Sequence, residues 1–372
     1  MKVKWLKAEN IPNGQIRSFA ALFASKNSED VILNTETEFE FLKLSNNIYF
    51  PVTINDLEGE NSFVCSPYTA YALYSKEELL TKVKSKIVQW LLLLIIKMIG
   101  LWLKFSNIDR NVQVNNFLLS TNPYPDWEGD EISELTDLII SKYPDHAIIF
   151  RSLNEYQHKN LIDKFVEERY EKIGSRQVYI YDMDYPAWLK HNNNKNDQRI
   201  INKQQLIKLD HDGMADYLEE ALNLYNQLYL EKYSKFNPQF TLDYFKKCHS
   251  SKLMYFQGYK DKNGRLVTFS GLFKIGNTIT SPLVGYDTSA PQKQGLYIHA
   301  INLIMDYKFK HQILLNLSSG ASRFKKLRGG LPSIEYSAVY TAHLSLKRRM
   351  AWSILQFISN KIGVPLVKRY EL

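Results

Sequence analysis

The sequence contains few residues of the kinds that mark metalloproteins and disulfide-rich proteins. Only two cysteines, Cys65 and Cys248, occur in 372 residues, too few and too far apart for a disulfide framework. No Cys/His spacing resembles a zinc site, and the eight histidines include no HExxH pair. A Walker loop and a nucleophile-elbow pentapeptide are also missing. The sequence therefore predicts no metal site and gives no support to a metal-dependent hydrolase or a nucleotide-driven enzyme.

The N-terminal stretch MKVKWLKAENIPNGQ also lacks a feature, the apolar core of a secretory signal. With so few cysteines, a reducing, cytoplasmic location is the expectation. The chain is 45% hydrophobic, which is enough for two domains of ordinary size or one large one. Its formal net charge of +8 favours an anionic partner, such as a phosphorylated cofactor, a carrier protein, RNA or a lipid headgroup.

The most unusual segment is the apolar stretch 82–104, KVKSKIVQWLLLLIIKMIGLWLK. On a helix Lys82, Lys86, Lys97 and Lys104 fall in one narrow stripe, away from most of the large apolar residues. A central lysine in hydrocarbon costs about 3 kcal/mol, which argues against a simple span. An in-plane helix would keep every lysine at the headgroups. A buried core helix and a true span are the alternatives. The membrane-contacting candidates are Lys86, Trp90, Lys97, Trp102 and Lys104.

Strands and helices alternate from about residue 112 onward, which indicates crossover units. The segments NNFLLS, HAIIFRSL and RQVYIYDMD are predicted strands, and helices are expected between them. Three antiparallel strands follow in the segment 253–286, with a turn at Asn263-Gly264. An apolar-periodic helix over 296–307 then precedes the short apolar strand 313–317, so parallel pairing with the strand before the helix is predicted.

The turn after this last strand has the composition of an anion site. Ser318, Ser319, Gly320 and Ala321 are small enough to let a ligand approach the backbone. Three cations follow, Lys325, Lys326 and Arg328. Ligands of open α/β sheets collect outside the carboxyl ends of strands, where this turn falls.

The segment SSGASRFKKLRGGLPSIEYSAVY, preceded by GLYIHAINLIMDYKFK, resembles the C-terminal half of the FemAB-like branch of the GNAT acyltransferases. The resemblance covers roughly residues 185 to 350 and rests on the order of elements. It implies an α/β (α+β) fold of tandem GNAT-like domains, each a mixed twisted sheet flanked by helices. The first domain would span 1–184 and include the apolar helix near 82–105. The second would span 185–372 and carry the active site.

The resemblance also implies site residues. Lys325 matches the lysine of the family's turn, and would bind the donor's phosphate or polarise its carbonyl. GNAT enzymes that use coenzyme A carry a Gln/Arg-x-x-Gly-x-Gly/Ala loop; here Gln292 and Gly295 fit, but Tyr297 replaces the small residue. The donor- and substrate-binding candidates are Tyr286, Gln292, Gln294, Gly295, Asn316, Ser318, Ser319, Gly320 and Arg328. Acyl-CoA or an acyl carrier protein is the expected donor substrate, with no tightly bound cofactor.

Two further residue types suit acid–base chemistry. His299 is a candidate base because imidazole titrates near neutrality. Tyr286 and Tyr336 are candidate proton donors or acceptor-binding groups, although such tyrosines also serve as packing residues. Together with Lys325, His299 and Tyr336 form the predicted catalytic set.

The preferred hypothesis is an N-acyltransferase that moves an acyl group, a fatty acyl group in view of the apolar helix, from a thioester to the amine of a lipid or amino-acid-like precursor. It would be peripherally associated with the inner face of the cytoplasmic membrane. An aminoacyl-tRNA-dependent transferase acting on a cell-wall precursor is the first alternative, with tRNA as a partner. A non-catalytic membrane-bound GNAT-like binding module is the second. DNA is not an expected partner.

Overall fold

The computed structural model describes residues 3–24, 26–82 and 85–370. The chain divides into two compact units. Unit 1 consists of Met1–Glu29, Asn34–Gln177 and Ser333–Leu372; unit 2 consists of Asp30–Leu33 and Val178–Pro332. The sequence-based division at 184/185 lies near one of these boundaries, but it placed residues 333–372 in the second domain. They belong to unit 1 because their strand pairs with a strand of that unit.

Twelve strands are described. In chain order they are β1 Lys4–Leu6, β2 Glu38–Lys43, β3 Tyr49–Asn55, β4 Asn111–Val114, β5 Ala147–Asn154, β6 Glu171–Tyr181, β7 Ile207–Leu209, β8 Tyr255–Lys260, β9 Leu266–Ile275, β10 Thr278–Tyr286, β11 Leu314–Asn316 and β12 Leu331–Tyr340.

Thirteen α-helices are described, some continued by short π-helical stretches. They are α1 Gln15–Phe23, α2 Ser75–Lys82, α3 Lys86–Phe105, α4 Ile132–Lys142, α5 Glu155–Glu167, α6 Tyr185–Leu189, α7 Asn192–Lys203, α8 Leu218–Tyr225, α9 Leu242–Ser250, α10 Leu296–His311, α11 Ser322–Lys326, α12 Leu346–Ile358 and α13 Val364–Tyr370. Residues 83 and 84, near the start of the predicted apolar helix, lie outside the described residues.

In unit 1 the strand order is β1-β2-β3-β4-β5-β12, followed by the first residues of β6. The β4/β5 pair is parallel, and helix α4 forms the crossover between the two strands. The β1/β2, β2/β3, β3/β4 and β5/β12 pairs are antiparallel. The core on one face combines sheet residues such as Val112 and Phe150 with Ile139 of α4 and Phe165 of α5.

In unit 2 the order is β7-β8-β9-β10-β11, followed by the last residues of β6. Only the β10/β11 pair is parallel, with helix α10 as its crossover, which confirms the predicted parallel pairing. Ala300, Ile304 and Met305 of α10 pack against Ile279 and Leu315 of the sheet. Mixed sheets flanked by helices confirm the predicted fold class.

The two units share one strand order, and they exchange their last strands. Strand β6 follows β5 in the chain but pairs through Ile180 and Tyr181 with β11 of unit 2. Strand β12 follows β11 in the chain but pairs through residues 335–340 with β5 of unit 1. The strand β12, which pairs with β5 of unit 1, thus comes after the crossover of unit 2 in the chain. The strand β6, which pairs with β11 of unit 2, comes after the crossover of unit 1.

The strand predicted at NNFLLS, residues 115–120, is wrong. Strand β4 ends at Val114, and the chain then forms a turn in which Asn115 and Leu118 have positive φ. Side-chain amides replace the ladder there: Asn116 Oδ1 accepts from the Leu118 amide at 3.1 Å, and Asn122 Oδ1 accepts from the Phe117 amide at 3.0 Å. Asparagine side chains that bond to nearby backbone compete with a strand in this way.

We expect the stability of the protein to fall as the pH drops below about 6.5. Burial lowers the pKa of His158 to about 4, and its Nδ1 accepts the amide of Asn154 at 3.2 Å. The folded protein therefore resists protonation, whereas the unfolded chain takes up a proton below the ordinary pKa of 6.5. The contribution of His158 to the free energy of unfolding is fully present above pH 6.5 and is lost as the pH falls toward 4. Urea unfolding at pH 7.5 and pH 5.0 should differ by about 2 kcal/mol from this group alone.

The variant His158→Gln, which cannot be protonated, should reduce this difference. Exposed His311→Gln is the control and should leave it unchanged. An identical pH dependence in His158→Gln and the parent protein would contradict the prediction.

Candidate functional site

The parallel strands at the centre of unit 2 stop pairing part-way along. Their ladder runs from Thr278 opposite Leu314 to Thr280 opposite Asn316. Strand β10 continues to Tyr286, while β11 ends and its chain follows β6, with the Leu317 amide donating to the carbonyl of Tyr179 at 2.9 Å. The pairing of β10 with β9 also shifts register between Thr280 and Leu283. The edge of β10 beyond Thr280 is therefore not paired with β11, and we call the gap between this edge and the chain after β11 the cleft.

The Ser/Gly turn lies directly after β11, as the sequence predicted. Asn316 is buried, and its Oδ1 accepts the amide of Ser318 at 3.0 Å. Ser318, Gly320 and Ala321 all have positive φ, at 55°, 80° and 49°. Such a run of left-handed residues folds the chain back sharply, and strained turns of this kind cluster at functional sites.

Lys325 holds this turn together. Its ammonium donates to the carbonyls of Leu317 at 2.7 Å, Ser318 at 3.3 Å and Ser319 at 2.7 Å, and the side chain is 3% exposed. An ammonium has three hydrogens, and three carbonyls receive them. This geometry gives Lys325 a positioning role, shaping the turn, rather than a free cation for a donor phosphate.

Arg328 is committed to an ion pair. Its Nη2 donates to Asp197 Oδ1 at 2.8 Å and its Nε donates to Asp197 Oδ2, and both side chains are buried. The guanidinium also lies over the ring of Phe324 at 3.4 Å. Bidentate pairing of this kind fixes geometry, so Arg328 anchors helix α7, which carries Asp197, to the end of α11.

An aromatic cluster lies at the end of β10. Tyr286 receives a hydrogen bond from the exposed Lys232 ammonium at 2.9 Å, and its ring centroid lies 5.8 Å from that of Tyr297. Tyr297 in turn lies 4.9 Å from Phe324. Burial, with other tyrosines nearby, raises the pKa of Tyr297 well above its usual range. The hydrogen bond to Tyr286 raises the pKa of Lys232, so this lysine is a cation at neutral pH.

The loop before α10 has the turn that the resemblance implies. Gln292 is exposed, Gln294 is partly exposed, and Gly295 has φ of +65° at the start of the helix. A Cβ at Gly295 would lie 2.8 Å from Ile200 Cγ2, so a larger residue does not fit. Tyr297, the residue that departs from the coenzyme A pattern, is the second residue of α10.

His299 is buried on α10. Its Nδ1 bonds to the carbonyl of Gly295 at 2.9 Å, and its ring meets Tyr259 edge-on at 5.4 Å. Its Nε2 has no hydrogen-bond partner among the residues that the structure describes. Burial lowers the pKa of His299, so the ring is neutral at pH 7. It remains a candidate base, at 1% exposure.

Tyr336 is in unit 1, on β12, whereas Lys325 and His299 are in unit 2. It pairs with Leu153 across the strands, and the ammonium of Lys172 lies 4.5 Å from its ring. Burial, together with the nearby Glu155 carboxylate, raises the pKa of Tyr336. Of the predicted site residues, Tyr286 and Asn316 are the last residues of β10 and β11 in unit 2. Gly295 and the Ser/Gly turn lie in the segments that follow these two strands.

The apolar helix α3 lies against unit 1 by one side only. Gly100 and Leu103 are buried, and a Cβ at Gly100 would lie 3.3 Å from Ala72 Cβ. The opposite side is exposed and apolar; it contains Ile87, Leu91, Leu94, Met98, Leu101 and Phe105. Lys86, Lys97, Lys104 and Trp90 are exposed beside it, whereas Trp102 is partly buried. Among the described helices, α3 alone is long and apolar enough to cross a membrane. Its most apolar 18 residues have a mean hydropathy of 1.9, and 11% of them are buried.

Helix α12 extends this exposed apolar surface. Leu346, Met350, Ile354 and Phe357 are exposed on it at helical spacing. Lys347 of α12 lies 3.3 Å from the ring of Phe105 of α3. The two helices together contain six basic residues, three on each, and no acidic residue.

Comparison with known proteins gives likenesses in structure only. No protein-family model and no curated protein matches the chain. The structure is similar to L-PGS from Bacillus licheniformis (15% identity, 61% of this chain and 79% of that chain, TM-score 0.41). It is also similar to FemX (10%, 61% and 79%, 0.45) and to a tandem GNAT protein from the clavulanic acid biosynthesis pathway (8%, 91% and 98%, 0.41).

Because each TM-score is below 0.5, these likenesses do not by themselves assign the chain to a family.

The sequence did not reveal which residues of the site are in contact. Lys232 and Tyr297 meet Tyr286 only through folding, since they lie on different elements. Asp197 sits in the Asn-rich stretch 192–197, which resembles a solvated helix or loop, yet it is buried against Arg328. The signal that was available is the helical spacing of Asn194 and Asp197, both buried on one side of α7.

We predict that Lys325→Met destabilises the protein by about 3 kcal/mol, because it leaves three turn carbonyls without their donor. Exposed Lys326→Met is the matched control and should change the free energy of unfolding by less than about 0.5 kcal/mol. Urea unfolding measures both. A stable Lys325→Met variant would show that the turn does not depend on this ammonium.

Proposed function

We propose that the protein is an acyltransferase that transfers an acyl group from an activated donor to an amine, with its site in the cleft beside β10. The observation that carries this proposal is the separation of β10 from β11 beyond Thr280 and Asn316, next to the Lys232–Tyr286 pair. An unpaired strand edge presents backbone N–H and C=O groups, which suit an extended donor and a developing oxyanion.

Amine acylation requires little more than this arrangement supplies. The amine nitrogen attacks the acyl carbon, an N–C bond forms, and the bond to the leaving sulfur or oxygen breaks. The Tyr286 hydroxyl donates its proton to the leaving atom, and the Lys232 ammonium at 2.9 Å stabilises the phenolate. The proton lost by the attacking nitrogen returns to the Tyr286 oxygen through water. The Ser/Gly turn fixes the far wall of the cleft.

Two donors fit this scheme. A thioester of coenzyme A or a carrier protein is the preferred one, with a fatty acyl group because of the apolar surface of α3. Tyr297 favours the second, an aminoacyl-tRNA, because a large ring stands where coenzyme A loops have a small residue. The net charge of +8 is consistent with either polyanion.

We further propose that the exposed faces of α3 and α12 rest on a bilayer surface that contains anionic lipid. Twelve large apolar side chains on two adjacent helices are exposed, and every charged residue of those helices is basic. Apolar residues beside lysines suit the boundary between headgroups and acyl chains. An in-plane position would also allow acyl chains of a lipid acceptor or product to remain in the membrane.

The reaction can be tested by mass spectrometry of lipids and cell-wall precursors from cells that express the protein, the Tyr286→Phe variant or the exposed control Tyr156→Phe. Loss of the proton donor should lower the acylated product by roughly a hundredfold, while Tyr156→Phe keeps full product. A new N-acylated lipid supports the thioester donor; an aminoacylated precursor supports aminoacyl-tRNA. Equal product from Tyr286→Phe, or no acylated product from the parent protein, would contradict the proposal.

Membrane binding can be tested with purified protein and vesicles of phosphatidylcholine with or without phosphatidylglycerol. Leu94→Glu on α3 and Phe357→Glu on α12 should each weaken binding to anionic vesicles at least tenfold, because each puts a carboxylate into the apolar face. Ile207→Glu, an exposed apolar position in unit 2, should leave binding unchanged. Equal binding by all variants, or none by the parent protein, would exclude this surface.

A further inference from the structure

The parallel strand pair of unit 1 ends at a position that corresponds to the end of the pair in unit 2, and a charged residue follows it. The parallel β4/β5 ladder ends with Val114 opposite Phe150, and Arg151 is the next residue on β5. In unit 2 the ladder ends at Asn316, and Leu317 is the next residue. The following residue is a serine with positive φ in both units: Ser152 at 65° and Ser318 at 55°.

The pairing of β5 with its other neighbour, β12, is also irregular at Arg151. Strand β12 pairs with β5 at Tyr336 opposite Leu153 and at Ala338 opposite Phe150, so two residues of β5 face the single Ser337. A bulge of this kind re-aims side chains, and bulges are common beside functional sites.

Arg151 has no carboxylate partner within salt-bridge distance among the described residues. Its Nη1 donates to the carbonyl of Val64 at 2.8 Å, and the guanidinium lies 5.9 Å from the ring of Phe63. The acidic residue that acts on it, Glu335, is held by Arg176 Nε at 2.9 Å and by the Thr121 hydroxyl at 3.4 Å.

The other titratable groups that act on Arg151 are neutral or cationic. Burial raises the pKa of Cys65 and of Tyr71, so neither the thiol nor the phenol is an anion at neutral pH. Arg176 adds a second positive charge. Desolvation with little compensation lowers the pKa of Arg151. Two guanidinium groups thus share one buried carboxylate, and the residue Arg151 is partly exposed.

We propose that unit 1 binds an anionic group, a carboxylate or a phosphate, on the guanidinium of Arg151. A planar guanidinium binds either group through two parallel hydrogen bonds. The ring of Phe63 and the hydroxyl-bearing Tyr71 and Ser337 would border the bound group. This site lies in a different unit from the proposed acyl-transfer site and does not rest on that function.

Binding can be measured by thermal unfolding and calorimetry with inorganic phosphate, acetate and chloride at equal ionic strength. We expect a saturable rise in Tm with phosphate or acetate and none with chloride; which of the two acts identifies the group. Arg151→Gln should abolish this rise without lowering Tm in chloride, because Glu335, the carboxylate that acts on Arg151, is already held by Arg176. Arg199→Gln, an exposed arginine of unit 2, should retain the full rise.

Arg151→Lys keeps a positive charge and most of the side-chain volume, and tests the same site if Arg151→Gln does not fold. It should weaken anion binding at least fivefold, because an ammonium cannot form the paired hydrogen bonds. An anion response that Arg151→Gln and Arg151→Lys both retain would overturn the proposal. So would a parent protein whose Tm rises equally in all three salts.

Discussion

The exchange of last strands is the constraint on which the rest of the structure depends. Hydrogen bonds between β12 and β5, and between β6 and β11, complete each sheet beyond its parallel pair. In unit 2 the antiparallel strand β6 lies beside the short strand β11. In unit 1 the antiparallel strand β12 lies beside β5, which contains a bulge. Strand β11 can end after three residues because its chain continues along β6 and leaves the edge of β10 open.

Polar interactions then shape the turn beside that open edge. Three carbonyls of the turn would be costly to bury without donors, and the Lys325 ammonium satisfies them. Asp197 neutralises Arg328 in the same way on the neighbouring α7. Lys325 and Arg328, two of the three cations that suggested an anion site in the sequence, thus bind groups of the protein itself. At the end of β10 the exposed Lys232 is paired with Tyr286.

The two units use one topology with different chemistry. In unit 2 the residue after the parallel ladder is Leu317, and the polar groups come from the ends of β10 and α8 with its π-helical continuation. In unit 1 the same place holds Arg151, near the neutral Cys65 and Tyr71 and near Arg176, which holds the Glu335 carboxylate. Two sheets with the same strand order therefore place different side chains after their parallel pairs. Helices α3 and α12 give unit 1 an apolar basic surface.

The sequence by itself determined the elements whose signals are local. Helical periodicity identified α10, the short apolar run identified β11, and together they predicted the parallel crossover, because both signals depend on residues close in the chain. Composition likewise marked α3 as apolar with a lysine stripe. The turn at Ser318 was recognisable from its small residues, although its strained backbone was not.

Only the tertiary structure decided which residues meet. The exchange of β6 and β12 involves partners far apart in the chain, so the sequence-based domain boundary assigned residues 333–372 to the second domain, whereas they lie in unit 1. The committed ammonium of Lys325, the pairing of Arg328 with Asp197 and the unpaired Arg151 depend in the same way on distant neighbours. Local sequence patterns indicate which interactions a side chain can form, whereas packing of distant segments determines which of those interactions it forms within the protein.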